Sequence, residues 1–439
     1  MSVGSARLRE EPDVIRHGCI AKGEDPALVD QALVVDEGRR ELLGKADSLR
    51  NQKRQLSESI GIAIKGGEEP NGPRVSQLKE QANWIGAEIS GLDAQLAEIA
   101  SRLDDLLLRI PNPPDPGVPE GGEEASQIVR TWGEPVTLHE EPQSGEQDTW
   151  VRKPHWEIAE ALGMFDLAAG AKITGSGWPL YKGAGSRLQR ALIDFFLDLH
   201  SDEHGMTEVW PPVVVNEESA RGTGQIPDKE DQMYVVTRDE LYMVPTAEVP
   251  VTNIHRDEII EAEDLPIRYV AYSPCFRREA GAAGAKTRGI LRVHQFDKVE
   301  MVAFEKPADS DATLEWMTER AEICLQRLRL PYRVKLMATG DMGFTQAKKY
   351  DLEVWAPGVE DWLEVSSVSN FRDYQARRMS IRWRPEKGAK PEILHTLNGS
   401  GLALARVVAA ILEVYQQPDG SVAVPEVLRP RLGERIAAD

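Results

Sequence analysis

Apolar residues recur at Val75, Leu78, Ala82, Ile85, Ile89, Leu92, Leu96, Ile99, Leu103 and Leu106, in alternating steps of three and four. That spacing is the seam of a coiled coil and is narrower than the stripe of a helix packed on a globular core. Upstream, Leu42, Ala46, Leu49, Leu56, Ile60 and Ala63 keep the same period, with Lys53 as the one polar interruption, and GGEEPNGP supplies a turn between the runs. The pattern predicts two long helices folded back on each other. At a rise of about 1.5 Å per residue the second would reach roughly 50 Å, more than a compact domain needs, so the hairpin should protrude. It should stop at IPNPPDPGVPEGG, because Pro111, Pro113, Pro114 and Pro116 cannot donate helical hydrogen bonds.

Beyond the prolines the pattern changes. Residues 111–150 hold one basic residue, Arg130, against nine acidic ones. Short β-rich runs then follow, among them TEVWPPVVV, LPIRYVAYSP, ILRVHQFDKVEMVAF and KKYDLEVWAP, with helix-like stretches at Leu188 to His200 and Asp311 to Leu328. The order lacks the regular βαβ alternation of a doubly wound sheet, so the class is α+β, an antiparallel sheet flanked by helices. The expected organisation is a helical hairpin over 1–112, an acidic proline-rich connector over 113–155 and an α+β domain over 156–439.

Composition adds bounds. The 439 residues are 41% hydrophobic and 28% charged, as in an ordinary globular chain. No run of about 18 apolar residues occurs, and MSVGSARLREEPD has charges where a signal peptide needs its apolar stretch, so a cytoplasmic location is expected. Cys19, Cys275 and Cys324 are too few and too separated for a disulfide framework or a zinc cage. The formal charge of −20 argues against a polyanionic partner, yet it is uneven. Residues 39–54 carry six basic against two acidic side chains, residues 277–298 six against two, and residues 372–390 seven against two. For the first of these a solvated helix face is the competing reading.

Two nucleotide-binding patterns fail. AGAAGAKT (280–287) has alanines at both required P-loop glycines, and Gly399-Ser400-Gly401 continues to Leu404 where a dinucleotide fingerprint needs its third glycine. The informative segment is Phe276-Arg277-Arg278-Glu279 followed by a glycine-containing loop and GILRVHQFDKVEMV. Strand alternation puts Arg277 with Glu279, and Arg292, His294, Phe296, Lys298 and Glu300 in a second same-face row. Such a hairpin offers a guanidinium for a phosphate or carboxylate, an aromatic face for a base and a carboxylate for an amine or hydroxyl. A salt-bridged surface hairpin is the alternative.

PCFRREAG with RGILRVHQFDKVEM resembles the second signature motif of class II aminoacyl-tRNA synthetases, in the form typical of seryl-tRNA synthetases. TEVWPPVVVN resembles the first motif, a dimer-interface strand, and LNGSGLALAR the third, ending in Arg406. VPTAEVPVTN, TGDMGF, YDLEVWAP, EVSSVSNFRDYQARR and DGSVAVPEVLRP are also similar to seryl enzymes, so the resemblance spans nearly the whole chain. It implies a class II catalytic core, and a ligase that activates L-serine with ATP and transfers it to the 3′ end of tRNA(Ser), with tRNA(Sec) as a second candidate acceptor.

The resemblance also implies roles. Arg277, Glu279 and Arg406 would be catalytic, with Arg277 on the α-phosphate and the serine carboxylate, Glu279 on adenine and Arg406 on the γ-phosphate. Arg278, Phe296, Val365 and Ser366 would complete the ATP site, Phe296 by stacking on the base. Glu364 and Ser367 would hold Mg²⁺ on the phosphates, as hard oxygen ligands suit that ion. Thr246, Ala247 and Glu248 would lie at the serine amino group, with Glu300 and Ser400 at its hydroxyl; an N-cap role for Ser400 stays open beside this one. The hairpin would grip the long variable arm of the tRNA through Arg39, Arg40, Arg50, Lys53 and Arg54, in a homodimer with no membrane or DNA partner. No histidine is assigned to catalysis, and His294 is expected to support the active hairpin from behind.

Some positions depart from the common family pattern: Ala405 precedes Arg406 in place of glycine, Val368 stands where cysteine is common, and Ala282, Ala283, Ala285 and Lys286 vary the motif loop. They leave room for a specialised paralogue serving inhibitor resistance or a biosynthetic pathway. A non-catalytic tRNA-binding homologue is disfavoured by the presence of Arg277, Glu279 and Arg406, and an amino-acid:carrier-protein ligase by the long heptad arm.

Overall fold

The computed structural model describes residues 3–140, 150–280 and 288–438. Part of the connector and Gly281–Thr287, with the P-loop-like run and the variant loop positions, lie outside the described residues. The chain forms two compact units, Met1–Pro111 and Asn112–Asp439.

In the first unit, helix α1 (Ala27–Lys65) and helix α2 (Pro73–Leu108) make the predicted hairpin. Every seam residue from Leu42 to Leu106 is buried or half-buried, whereas Lys53 is exposed. Gly38 faces Ile99, Arg50 ion-pairs with Asp93 at 2.6 Å, and Lys53 lies over Gly86, where any Cβ would come 3.0 Å from its Nζ. The missing side chain at Gly86 thus gives the polar interruption its room. Helix α1 begins fifteen residues before the first predicted seam position, because Leu28, Val29 and Ala32 are buried alongside Leu8, Ile15 and Cys19 of two short helices, Ser5–Glu10 and Pro12–Ala21.

The second unit is built on an eight-stranded sheet: β1 (Gln127–Trp132), β2 (Thr207–Val209), β3 (Ile267–Phe276), β4 (Gln295–Glu305), β5 (Tyr332–Leu336), β6 (Lys348–Ala356), β7 (Asp361–Asn370) and β8 (His395–Ala403). The spatial order is β1-β5-β6-β7-β8-β4-β3-β2, antiparallel throughout except for β2, which runs parallel to β3 at the edge. The acidic segment therefore contributes the opposite edge strand. Helices α3 (Gly183–Asp198), α4 (Ser310–Arg327) and α5 (Leu404–Tyr415) pack on the sheet, two of them close to the predicted spans. Among the described residues, no helix is long and apolar enough to cross a membrane.

Strand β4 shows how alternation positions a site. Val299, Met301 and Ala303 enter the large core with α3, α4 and α5. Val302 and Phe304 enter a smaller core on the other face, and Lys298 and Glu300, on that same face, meet a cavity instead.

Candidate active site

The cavity has a volume of about 450 Å³, within the range of small-molecule sites. It lies entirely in the second unit. Arg277, Glu279, Thr246, Glu248, Glu300, Ser400, Phe296, Glu364, Val365, Ser366, Ser367 and Arg406 all line it. Ala247 does not, being fully buried in the smaller core, and Arg278 turns outward to bond the Asp231 carbonyl at 3.0 Å.

Cross-strand register brings the polar end together. Glu300 on β4 is directly opposite Ser400 on β8, and the Ser400 hydroxyl lies 3.5 Å from Glu300 Oε2. Ser400 sits within β8, and α5 starts four residues later with Ala403 at its N-cap and no side-chain cap, so the N-cap reading does not hold. The Ser366 hydroxyl donates to the Ser400 carbonyl at 2.6 Å, tying β7 to the same point. Lys298 Nζ is 2.7 Å from Glu300 Oε2, with both groups nearly excluded from solvent.

Thr246 and Glu248 belong to a turn that enters the short helix Glu248–Thr252. Thr246 is 4% exposed and its hydroxyl accepts from Glu248 N–H at 3.2 Å, which rules out a surface-loop role. Burial raises the Glu248 carboxyl above the usual range, with the charge of Glu300 adding to it. Gln375 Nε2 donates to Glu248 at 2.7 Å. A ligand ammonium arriving here would meet two carboxylates whose mutual repulsion it relieves.

The other end is cationic. The Arg277 guanidinium lies 5.1 Å from the Phe296 ring centroid, a cation–π contact. Glu279 follows β3 with φ of 48° and ion-pairs with Arg292 at 3.0 Å. Arg406, in the first turn of α5, donates to the Glu364 carbonyl at 2.8 Å and to the Leu291 carbonyl at 3.3 Å. Desolvation alone would raise the Glu364 carboxyl, but Lys349 and Arg406 outweigh it and hold it low. Its Oε1 accepts from the Ser367 hydroxyl at 3.0 Å.

Alternation fails at His294. Its ring leaves the row formed by Arg292, Phe296, Lys298 and Glu300, stacks on Trp178, and lies 3.0 Å from the Arg277 carbonyl. The reason is that β4 begins only at Gln295, so the period of two does not extend back to it. Among the departures, the Ala405 methyl lines the cavity, whereas Val368 packs against Gly399, where a Cβ would come within 2.9 Å of it.

Lys349, Gln375, Asn398 and Thr345 carry no expectation from the sequence, although Lys349, second in the KKYDLEVWAP strand, is two residues from Asp351 and alternation puts both on one face. Gln375 reaches the site through its bond to Glu248. Asn398 and Lys349 line the cavity, and Asn398 Nδ2 and Asp351 Oδ1 are buried with no hydrogen-bond partner among the described residues. Three proposed tRNA contacts are already engaged within the arm. Arg39 and Arg40 bond the fully buried Asp36, and Arg50 bonds Asp47 and Asp93.

Known proteins resemble this chain along nearly its whole length. The family model for the tRNA synthetase class II core domain (G, H, P, S and T) matches residues 234–415, and that for the seryl-tRNA synthetase N-terminal domain matches residues 5–114. The serine–tRNA ligase of Gemmatimonas aurantiaca is 48% identical, covering 98% of this chain and 99% of its own. That of Bacillus subtilis is 48% identical over 98% of this chain and 97% of its own. The solved seryl-tRNA synthetase of Pyrococcus horikoshii complexed with ATP superposes with a TM-score of 0.90 at 36% identity, covering 99% of both chains. The cytoplasmic enzyme of Naegleria fowleri in complex with AMP gives 0.84 at 28% identity, over 98% of this chain and 96% of its own.

Proposed function

This chain belongs to the seryl-tRNA synthetases, class II serine–tRNA ligases, and from that premise we propose that its cavity forms seryl-adenylate from L-serine and ATP and passes the seryl group to tRNA(Ser). The observation that carries the reading is the convergence of buried Thr246, Glu248, Glu300 and Ser400 with Arg277 in one cavity. A serine carboxylate oxygen attacks the α-phosphorus of ATP, the bond to the β-phosphate oxygen breaks, and pyrophosphate leaves. The 3′-terminal ribose hydroxyl of tRNA then attacks the adenylate carbonyl and AMP leaves. Neither step needs an enzyme nucleophile, so catalysis rests on positioning and charge stabilisation.

In this reading the Arg277 fork spans the α-phosphate and the serine carboxylate. Phe296 carries the adenine, Glu279 meets its edge and Arg406 takes the terminal phosphate. Glu248 and Thr246 receive the ammonium, while Glu300 and Ser400 bracket the hydroxyl. Glu364 and Ser367 suit Mg²⁺: both are hard oxygen donors, they converge at 3.0 Å, and two protein ligands leave the remaining positions to phosphate and water. Bound there, the ion would neutralise phosphate charge. The Ala405 methyl adds bulk beside these phosphates, which suits a role in tuning nucleotide affinity. The helical hairpin of residues 1–112 would hold the tRNA variable arm, and β2, an edge strand followed by Trp210 at 75% exposure, would pair two copies as a dimer.

Serine-dependent pyrophosphate exchange, followed by charging of a serine tRNA with and without its variable arm, tests the proposal. Exchange and arm-dependent charging are expected. Absence of exchange would overturn the reading of the cavity, and equal charging of both tRNAs would overturn the role of the hairpin.

A further inference from the structure

Behind the cavity lies a buried pair that none of the assigned roles uses. His155 opens the short helix His155–Ala161, Glu413 lies near the end of α5, and both side chains are fully buried. His155 Nδ1 is 2.8 Å from Glu413 Oε1, and its Nε2 is 3.3 Å from the Ile290 peptide nitrogen. A peptide N–H can only donate, so Nε2 must present its lone pair and the ring proton must sit on Nδ1, bonded to Glu413. Glu413 is itself held, accepting from the peptides of His155 at 2.9 Å and Gly358 at 2.8 Å. Gly289 lets the chain come this close: it has φ of +71°, and any Cβ would fall 2.2 Å from Nε2.

Ile290 lies where the chain returns to β4 and the cavity. The next carbonyl, Leu291, receives Arg406 Nε, and the next side chain, Arg292, pairs with Glu279. Arg406 and Glu413 sit on one helix, about 10 Å apart along its axis. A single rigid element therefore fixes the phosphate-binding arginine at one end and the anchor of the returning loop at the other.

We propose that His155 is a positioning residue for ATP binding: held by Glu413, it pins Ile290 and so sets the Leu291 carbonyl against Arg406 and Arg292 against Glu279. It acts on the nucleotide end of the cavity alone, because Thr246, Glu248 and Ser400 stand on other elements and Glu300, well inside β4, is held by its pairing with β3 and β8. The inference rests on the reading of that cavity as the ATP and serine site.

Two variants separate the bonds. His155→Asn can still donate to Glu413 from near the Nδ1 position but does not reach Ile290, whereas His155→Gln can offer an acceptor near the Nε2 position. Pyrophosphate exchange is measured for wild type and both variants, with thermal unfolding of each to confirm the fold. In His155→Asn, KM for ATP is expected to rise about tenfold, KM for serine to stay within about twofold, and His155→Gln to recover most of the ATP affinity, as loss of a pre-organising bond predicts. The proposal falls if the Asn variant keeps wild-type KM for ATP, if KM for serine rises in parallel, or if Gln recovers nothing while folded. Wild-type protein without exchange would instead remove the reading of the cavity, a distinct outcome.

Discussion

In the proposed reading, Glu300 concentrates the demands of serine selection on one side chain. It faces Ser400 across the sheet and holds the ammonium of Lys298 at 2.7 Å. A site built to bond a hydroxyl rejects an analogue lacking it by about 10⁴ or more, so alanine should be refused more strongly than threonine. In Glu300→Ala, KM for serine should rise about a hundredfold with KM for ATP within about threefold, measured by pyrophosphate exchange. Equal losses would contradict the assignment. The same change strands a buried lysine, so a fall in stability of about 3 kcal/mol should accompany it in urea unfolding.

A second residue-scale expectation concerns acid. His200 is fully buried with Nε2 3.2 Å from the Gly401 carbonyl and Nδ1 3.0 Å from His204 Nδ1. Burial, with His204 and Arg320 adding to it, pushes its pKa down to about 3. The unfolded chain, with a pKa near 6.5, binds a proton that the folded chain refuses below that pH. The stability this histidine contributes is thus complete above about pH 6.5 and drains as pH falls toward 3, amounting to about 2 kcal/mol by pH 5. Urea unfolding at pH 7 and pH 5 should show this loss, and His200→Gln should reduce it.

At the scale of elements, the hairpin and the cavity belong to units with separate cores. Replacing residues 39–98 by a short turn, which Gly38 and Ile99 allow by facing each other, should leave pyrophosphate exchange within about twofold and abolish tRNA charging. Loss of exchange as well would show that the units depend on each other. The arm was legible because a heptad seam is local and two-sided. Its base was not, because Leu28, Val29 and Ala32 bury themselves beside Leu8, Ile15 and Cys19, which follow no heptad period. Ser400 illustrates the opposite failure: a serine before an apolar helix invites an N-cap, and β8 carries on past it.

Over the whole molecule, a charge of −20 coexists with three basic segments. The structure divides the first of them. Arg39 and Arg40 pair with buried Asp36, and Arg39 together with Arg9 holds its carboxyl low despite the desolvation that would raise it. Lys53 and Arg54 have no ion pair among the described residues. Reversing both with Lys53→Glu and Arg54→Glu should raise KM for tRNA about tenfold or more and flatten its salt dependence, with exchange unchanged. Arg39→Ala should lower thermal stability through Asp36. Charging brings a polyanion onto these basic segments, so it should also fall between 50 and about 200 mM salt while exchange barely moves.

Local periods were readable in the chain itself: the seam of α1 and α2, the prolines that end it, the alternation of β4, and the identities of Arg277, Glu279, Glu300 and Arg406. Each depends on residues a few positions apart, and the geometry of a helix or strand then orders them. Tertiary structure decided what local geometry cannot: that Glu300 faces Ser400, that Ala247 and Arg278 turn away, that Gln375 bonds Glu248, and that His155 reaches Ile290. Those outcomes follow from register between strands distant in sequence, which long-range packing alone selects.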